Sequence, residues 1–332
     1  MMNLMVKWGL WAAGFIFLVL YPHVFGIYYS NFFITFGIVA LFAISYNLLL
    51  GYTGLLSFGH AIFFGAGAYG TALALEHING LPLIPALLIG ICSAVLLALV
   101  LCPIVARLRH AAFAMLHLAF NYIMYICVLK LRHITGGEDG IAGYDIPPLS
   151  IPGIISLDMT DPVLFFYFAV AILAGGIWLA WFLTKTPLGQ IMVGIRDNDM
   201  RVDYMGFRVV HTKAVVYIFS AAFAGIAGSM SALFQGMVAA EGTVDIAHAF
   251  QPILATIVGG ASSFFGPIAG AGIFAILEEL TTRFTERVEL VNGIVLIVVI
   301  MYFPSGFVGL MRMIRGRLFN GWSTKTIVEE PS

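Results

Sequence analysis

Charged residues are scarce in this sequence. Only 10% of its 332 residues are Asp, Glu, Lys or Arg, whereas 61% are hydrophobic. A soluble domain carries about 25% charged residues, so this composition excludes a soluble fold. The formal net charge of -1 gives no indication of a nucleic-acid partner. The three cysteines lie in apolar runs without metal-ligand spacing, and we expect buried, reduced thiols and no metal site.

The sequence also lacks the motifs of the common catalytic sites. No glycine-rich run ends in GK[ST], so ATP hydrolysis by a P-loop is excluded. A G-x-S-x-G elbow, an H-E-x-x-H motif and an intramembrane carboxylate pair are absent too. We therefore expect no enzyme activity and no cofactor bound by this chain. The missing carboxylates favour an external energy source over an ion gradient, although a stand-alone secondary carrier or channel stays an alternative.

Long uncharged runs make up most of the sequence. A helix needs about 20 apolar residues to cross a bilayer. These runs predict an all-α integral membrane protein with about ten crossings, some of them short or broken. A transmembrane domain spans residues 1–311, and a tail follows at 312–332. The runs that give the spans are 8–75 (three crossings), 78–106, 110–129, 162–184, 214–236, 250–261, 266–280 and 290–311. Small residues in 214–236 predict close helix packing.

Basic residues predict the orientation, because they mark the cytoplasmic side of a membrane. Loop 185–213 and the tail are rich in Lys and Arg, so we place both in the cytoplasm. The glycine- and proline-containing loop 130–162 then faces the other side. The first span, which follows Lys7, is expected to be uncleaved, which puts both termini in the cytoplasm. Lys130 and Arg132 oppose this rule.

Two glycine-rich breaks interrupt the apolar runs, one around residues 51–59 and one at 259–267. The stretch after the first, SFGHAIFFGAGA (57–68), resembles SSFFGPIAGAG (262–272), which predicts two pseudo-repeated halves. Paired breaks of this kind indicate a transport pathway, and the alternative is that the glycines only permit close packing. The predicted pathway residues are Ser57, Gly59, His60, His117, Gly259, Gly260, Ser262 and Ser263.

The two histidines leave alternatives open. His60 either hydrogen-bonds a solute or satisfies backbone groups at the first break. His117, in the middle of a span, either faces the pathway or bonds a neighbouring carbonyl group.

One long polar segment, PLGQIMVGIRDNDMRVDYMGFRVV (187–210), separates two spans. It contains three arginines and three aspartates and is expected to be helical. A charged segment of this kind between two spans is a surface that a membrane protein offers to a soluble partner.

Several motifs in order resemble the LivM-type permeases of branched-chain amino acid ABC importers. They cover nearly the whole chain: NLLLGYTGLLSFGHAIFFGAGAY (47–69), RLRHAAFAMLHLAF (107–120), TGGEDGI (135–141), TPLGQIMVGIRDND (186–199), MGFRVVHTK (205–213), IVGGASSFFGPIAGA (257–271) and FPSGFVGL (303–310). The resemblance implies a bacterial inner-membrane subunit surrounded by lipid. Its implied partners are a sister permease, two cytoplasmic ATPase subunits that use ATP, and a periplasmic solute-binding protein.

The resemblance also implies that segment 187–210 contains the helix that couples to an ATPase. The implied coupling residues are Gly194, Arg196, Asp197, Asp199, Arg201 and Gly206. The sequence departs from the family at His110, His117 and Arg201. The imidazole of His117 replaces a hydroxyl, which leaves urea, short amides or an aromatic acid as alternative solutes.

Overall fold

The computed structural model describes residues 4–78, 80–108, 110–151 and 155–283, together with 290–291, 293–294, 297, 301 and 306–307. Side chains are described from residue 18 onwards, with gaps. The predicted last span (290–311) is outside the described residues apart from these few positions. The predicted tail (312–332) is entirely outside them.

Helices form most of the described structure. Their bounds are α1 Leu4–Asn47, a π-helical turn Leu48–Tyr52, α2 Ala61–His77, α3 Leu83–Val105, α4 His110–Lys130, α5 Arg132–Thr135, α6 Pro162–Lys185, α7 Pro187–Tyr204, α8 Val209–Gln235, α9 Ile246–Gly259 and α10 Gly266–Thr282. Gly26 interrupts α1 with a φ of 79°.

Five helical segments of the described residues are long and apolar enough to cross a membrane. They are Leu20–Tyr52, Leu83–Val105, Ala111–Lys130, Pro162–Lys185 and Val209–Gln235. The predicted membrane class is therefore confirmed. The count of ten crossings and the pseudo-repeated halves stay predictions.

Four short strands qualify the all-α prediction. β1 (Ile141–Ala142) pairs antiparallel with β4 (Met237–Val238), and β2 (Leu149–Ile151) pairs with β3 (Ile155–Leu157). The first pair joins loop 130–162 to the connection between α8 and α9. These two loops therefore lie at the same end of the helix bundle.

Helices α2, α3 and α8 form the most closely packed part of the core, and glycines permit the approach. A Cβ atom at Gly228 would overlap the carbonyl oxygen of Phe64, and one at Gly67 would overlap that of Gly225. The prediction of close packing by small residues in α8 is thus confirmed. The prediction of buried thiols holds for Cys102 but is wrong for Cys92 and Cys127, whose side chains lie on the outer surface of their helices.

Candidate transport pathway and coupling segment

The first break is a π-helical turn followed by non-helical chain. After the turn, Gly54 adopts a φ of 72°, and its N–H donates to the carbonyl of Leu50 at 3.1 Å. Residues 54–59 then run without regular structure to the start of α2. The hydroxyl of Thr53 donates to the carbonyl oxygen of Leu49 at 2.6 Å and so gives this backbone group of the turn a hydrogen-bond partner. The predicted break is confirmed, and irregular backbone of this kind survives in a membrane protein only where protein or water surrounds it.

The second break contacts the first. α9 ends at Gly259, Gly260 has a φ of 105°, and α10 begins at Gly266, close to the predicted bounds of 250–261 and 266–280. The amide of Asn47 donates to the carbonyl oxygen of Ser263 at 3.3 Å. A Cβ atom at Gly51 would overlap the carbonyl oxygen of Ala261. The structure thus joins two stretches that are 200 residues apart in the sequence.

His117 links the first break to two helices. Ser57 Oγ lies 2.6 Å from His117 Nδ1, and Tyr217 Oη lies 2.6 Å from His117 Nε2. All three side chains are buried. The ring of Phe113 stacks on the imidazole at a centroid distance of 5.6 Å, and a Cβ atom at Gly59 would overlap the carbonyl oxygen of His117. His117 therefore bonds side chains of the break and of α8, rather than a neighbouring carbonyl group.

His60 lies in the same buried region but has a different set of partners. Its Nε2 is 2.9 Å from Ser45 Oγ, and the hydroxyl of Ser220 donates to the carbonyl oxygen of Ser45 at 2.6 Å. The imidazole stacks against Phe42 at 5.6 Å. Among the described residues, Nδ1 of His60 has no hydrogen-bond partner. His60 thus bonds a side chain of α1 instead of the backbone of the break, and neither histidine is open to solvent in this conformation.

The predicted pathway residues form two groups that share the first break. Ser57, Gly59, His60 and His117 lie together in the core. Gly259, Gly260 and Ser263 lie at the second break, and Ser262 is exposed there. Their role in lining a pathway stays a prediction. Sequence reasoning did not find Tyr217, Ser45 and Ser220, because single polar groups in apolar runs give no distinct signal.

The polar segment is helical, as predicted, and bends once. α7 begins at Pro187 after Thr186 and keeps Met192 and Ile195 buried, so its polar face points outward. At Asn198 the backbone leaves the helical region, and the side chain of Asn198 accepts the N–H of Arg201 at 3.0 Å. Gly206, with a φ of 90°, then turns the chain into α8.

Two of the implied coupling residues make contacts with other elements of the same chain. Arg196 donates through Nη1 to the carbonyl oxygen of Gly51 at 2.7 Å, so α7 is fixed to the first break. Asp199 lies 3.6 Å from the ammonium group of Lys213, whose side chain is only 6% exposed. The contact between Asp199 and Lys213 fixes α7 to α8. Asp197 and Arg201 lie on the exposed face, and a Cβ atom added at Gly194 would lie 3.1 Å from the side chain of Val202.

These features together define a multi-pass helical membrane permease. It has apolar spanning helices, two contacting breaks within them, and an amphipathic helix at one end of the bundle. Residues 28–303 match the family described as branched-chain amino acid transport system / permease component, and the chain belongs to this family.

The curated relatives agree with this family. The chain is 30% identical over 297 residues to the high-affinity branched-chain amino acid transport system permease protein LivM of Salmonella typhimurium, covering 83% of this chain and 68% of the relative. It is 29% identical to the LivM protein of Escherichia coli over the same shares. A probable LivH permease of Methanocaldococcus jannaschii is 29% identical over 43% of this chain and 46% of its own length. No solved structure matches the chain.

Proposed function

We propose that this chain is a membrane-spanning subunit of an ATP-driven importer for branched-chain amino acids. In this proposal α7 docks on one of two cytoplasmic ATPase subunits, a sister permease completes the membrane part, and a periplasmic binding protein delivers the solute. Family membership supports the permease role. The similarity to both LivM and LivH proteins supports a pair of related permeases.

The observation that carries the proposal is the attachment of α7 to the first break. α7 follows the spanning helix α6 directly and leads into α8, with its polar face exposed. Its inner side is held by Arg196 on Gly51 and by Asp199 on Lys213. A partner protein that moved α7 would therefore also displace the backbone of the first break at Gly51.

This arrangement supports alternating access as the mechanism of transport. The first break contacts the second break through Asn47 and the buried core through Ser57. A displacement of α7 is passed to both, because packed interfaces switch between discrete arrangements. Nucleotide binding to the ATPase subunits biases the two states only through its different affinity for each. Selectivity rests largely with the binding protein.

The presence of His117 at a position where the family has a hydroxyl group does not argue for a different solute. Both of its ring nitrogens are already bonded, to Ser57 and to Tyr217. An imidazole held on both sides has no free group to offer to urea, an amide or an aromatic acid. The solute class of the family therefore remains the best supported.

Co-purification and transport together test the proposal. The chain is extracted from its native membrane in mild detergent, its partners are identified by mass spectrometry, and leucine uptake is measured in proteoliposomes. We expect two nucleotide-binding subunits, a second permease, and uptake that depends on internal ATP. The double substitution Asp197→Lys and Arg201→Glu on the exposed face of α7 should release the ATPase subunits, whereas Glu138→Lys in loop 130–162 should not. Uptake by the chain alone, driven by a proton or sodium gradient, would replace this proposal with a secondary carrier.

A further inference from the structure

A cleft of about 840 Å³ opens at the end of the bundle that carries α7. It lies between the end of α3, the second part of α7 and the start of α8. The charged residues in its walls are Arg107, Asp199, Asp203, Arg208 and Lys213. The cleft is separate from both breaks and from their histidines, and the proposed transport mechanism uses only its Asp199–Lys213 pair.

One wall of the cleft continues onto the lipid-facing side of α3. Leu96, Leu99, Val100 and Pro103 follow one another at helical spacing and are all exposed, between 48% and 70% for the first three. An exposed apolar stripe on a membrane-spanning helix faces lipid acyl chains. The next position on this stripe is Arg107, which also lines the cleft. The cleft therefore lies where the acyl region gives way to the headgroups.

The charged groups of the cleft favour an anion. Three cationic side chains, Arg107, Arg208 and Lys213, line it beside two acidic ones, Asp199 and Asp203. The buried Lys213 lies 3.6 Å from Asp199, and the other charged groups that line the cleft are two arginines and the single carboxylate of Asp203. Arginine binds phosphate groups through two parallel hydrogen bonds.

The remaining lining residues fit the membrane interface. The side chain of Tyr204 is 83% exposed and that of Met200 54% exposed, both at the mouth of the cleft. Tyrosines are enriched at the level of the lipid headgroups. Basic pockets between spanning helices, on the side where anionic lipids are concentrated, bind phospholipid headgroups.

We propose that this cleft binds an anionic phospholipid. Arg107 and Arg208 hold the phosphate of the headgroup, and an acyl chain lies along Leu96, Leu99 and Val100. Because the cleft is formed by α3, α7 and α8 together, the lipid holds the second part of α7 against the bundle. This inference rests on the membrane location and the geometry of the cleft, and not on the docking of an ATPase.

Lipid retention by the purified full chain, together with whatever subunits remain attached, tests the proposal. The protein is exchanged into detergent with dioleoyl phosphatidylglycerol or dioleoyl phosphatidylcholine, and bound lipid is counted by native mass spectrometry. We expect one phosphatidylglycerol per chain at the cleft, with at least tenfold weaker retention of phosphatidylcholine. Arg107→Gln combined with Arg208→Gln should reduce phosphatidylglycerol retention about tenfold or more. The matched control Arg132→Gln combined with Arg283→Gln removes two exposed arginines elsewhere and should change nothing.

A second variant and a competitor separate the possible sources of the anion. Leu99→Gln keeps both arginines and should weaken lipid retention by loss of the apolar contact alone. Inorganic phosphate at millimolar concentration should displace little lipid. Displacement by phosphate together with an unaffected Leu99→Gln variant would identify a site for free anions and overturn the proposal. Unchanged lipid retention in the double arginine variant, with loss of co-purified ATPase, would make the cleft a protein-docking surface instead.

Discussion

Replacing Arg196 with glutamine should uncouple α7 from the first break without unfolding the protein. The substitution removes the 2.7 Å hydrogen bond to the carbonyl oxygen of Gly51. A hydrogen bond from a charged donor contributes about 1.5–3 kcal/mol when water is excluded. The side chain of Arg196 is 36% exposed, so we expect a loss of only about 1 kcal/mol in the free energy of unfolding. The shorter glutamine cannot reach the same carbonyl group from α7.

The effect on transport should exceed the effect on stability. If α7 moves the break through this contact, ATP hydrolysis by the docked subunits continues while solute movement falls. The measurement is the ratio of leucine transported to ATP hydrolysed in proteoliposomes, for which we expect a decrease of about fivefold or more. Thermal unfolding in detergent gives the change in stability of the same preparation.

Arg132→Gln is the matched control for this experiment, because it makes the same change outside α7. Arg132 lies 4.0 Å from Glu138 in loop 130–162, and both side chains are exposed. An exposed ion pair contributes about 0–1 kcal/mol, so the transport ratio should stay within twofold of the wild type. An Arg196→Gln protein with an unchanged ratio would refute the idea that this contact transmits movement.

Three further substitutions test the packing around the site by thermal unfolding in detergent. Tyr217→Phe removes the hydroxyl bonded to the buried His117 and should cost about 1–3 kcal/mol; an unchanged midpoint would indicate that the bond contributes nothing. Gly228→Val places a side chain against the backbone of α2 and should cost about 1–3 kcal/mol or more, whereas Gly175→Ala, which meets no atom within 4 Å, should be neutral. Lys213→Met removes the ammonium group that lies 3.6 Å from Asp199 and should cost about 1–3 kcal/mol, less than the loss of one partner from a fully buried pair; recovery in a double variant with Asp199→Asn checks the cause.

The features that the sequence predicts are those that depend on neighbouring residues. Charge gaps of about 20 residues predict α3, α4, α6 and α8 within a few residues of their ends. Glycine, serine and proline together at 259–267 predict that the chain breaks there, because these residues leave a helix without its usual hydrogen bonds or side-chain packing. The polar segment 187–210 between two apolar runs predicts a helix, and α7 (Pro187–Tyr204) occupies most of it.

The contacts that give these elements a role depend on distant residues, and the sequence does not contain that information in a readable form. Ser220 is 175 positions from Ser45, and Arg196 is 145 positions from Gly51. The resemblance to the family implies that Arg196 contacts an ATPase, but only the folded chain brings its guanidinium group to the first break. Asp199 likewise turns to Lys213. A charge pattern predicts an exposed face, but it does not predict which of its charges turn back to the same chain.

The first break is the element through which a movement of α7 would reach the rest of the bundle. The carbonyl oxygen of Gly51 in this break accepts a hydrogen bond from Arg196. The side-chain amide of Asn47, just before the break, donates to the second break, and the hydroxyl of Ser57 is bonded to His117. Glycines at positions 51 and 59 lie so close to other backbone atoms that no side chain fits. Close-packed interfaces of this kind do not deform gradually, and they change by switching between arrangements. We therefore expect the first break to move as one unit, so that a displacement of α7 would shift the second break and the buried histidines with it.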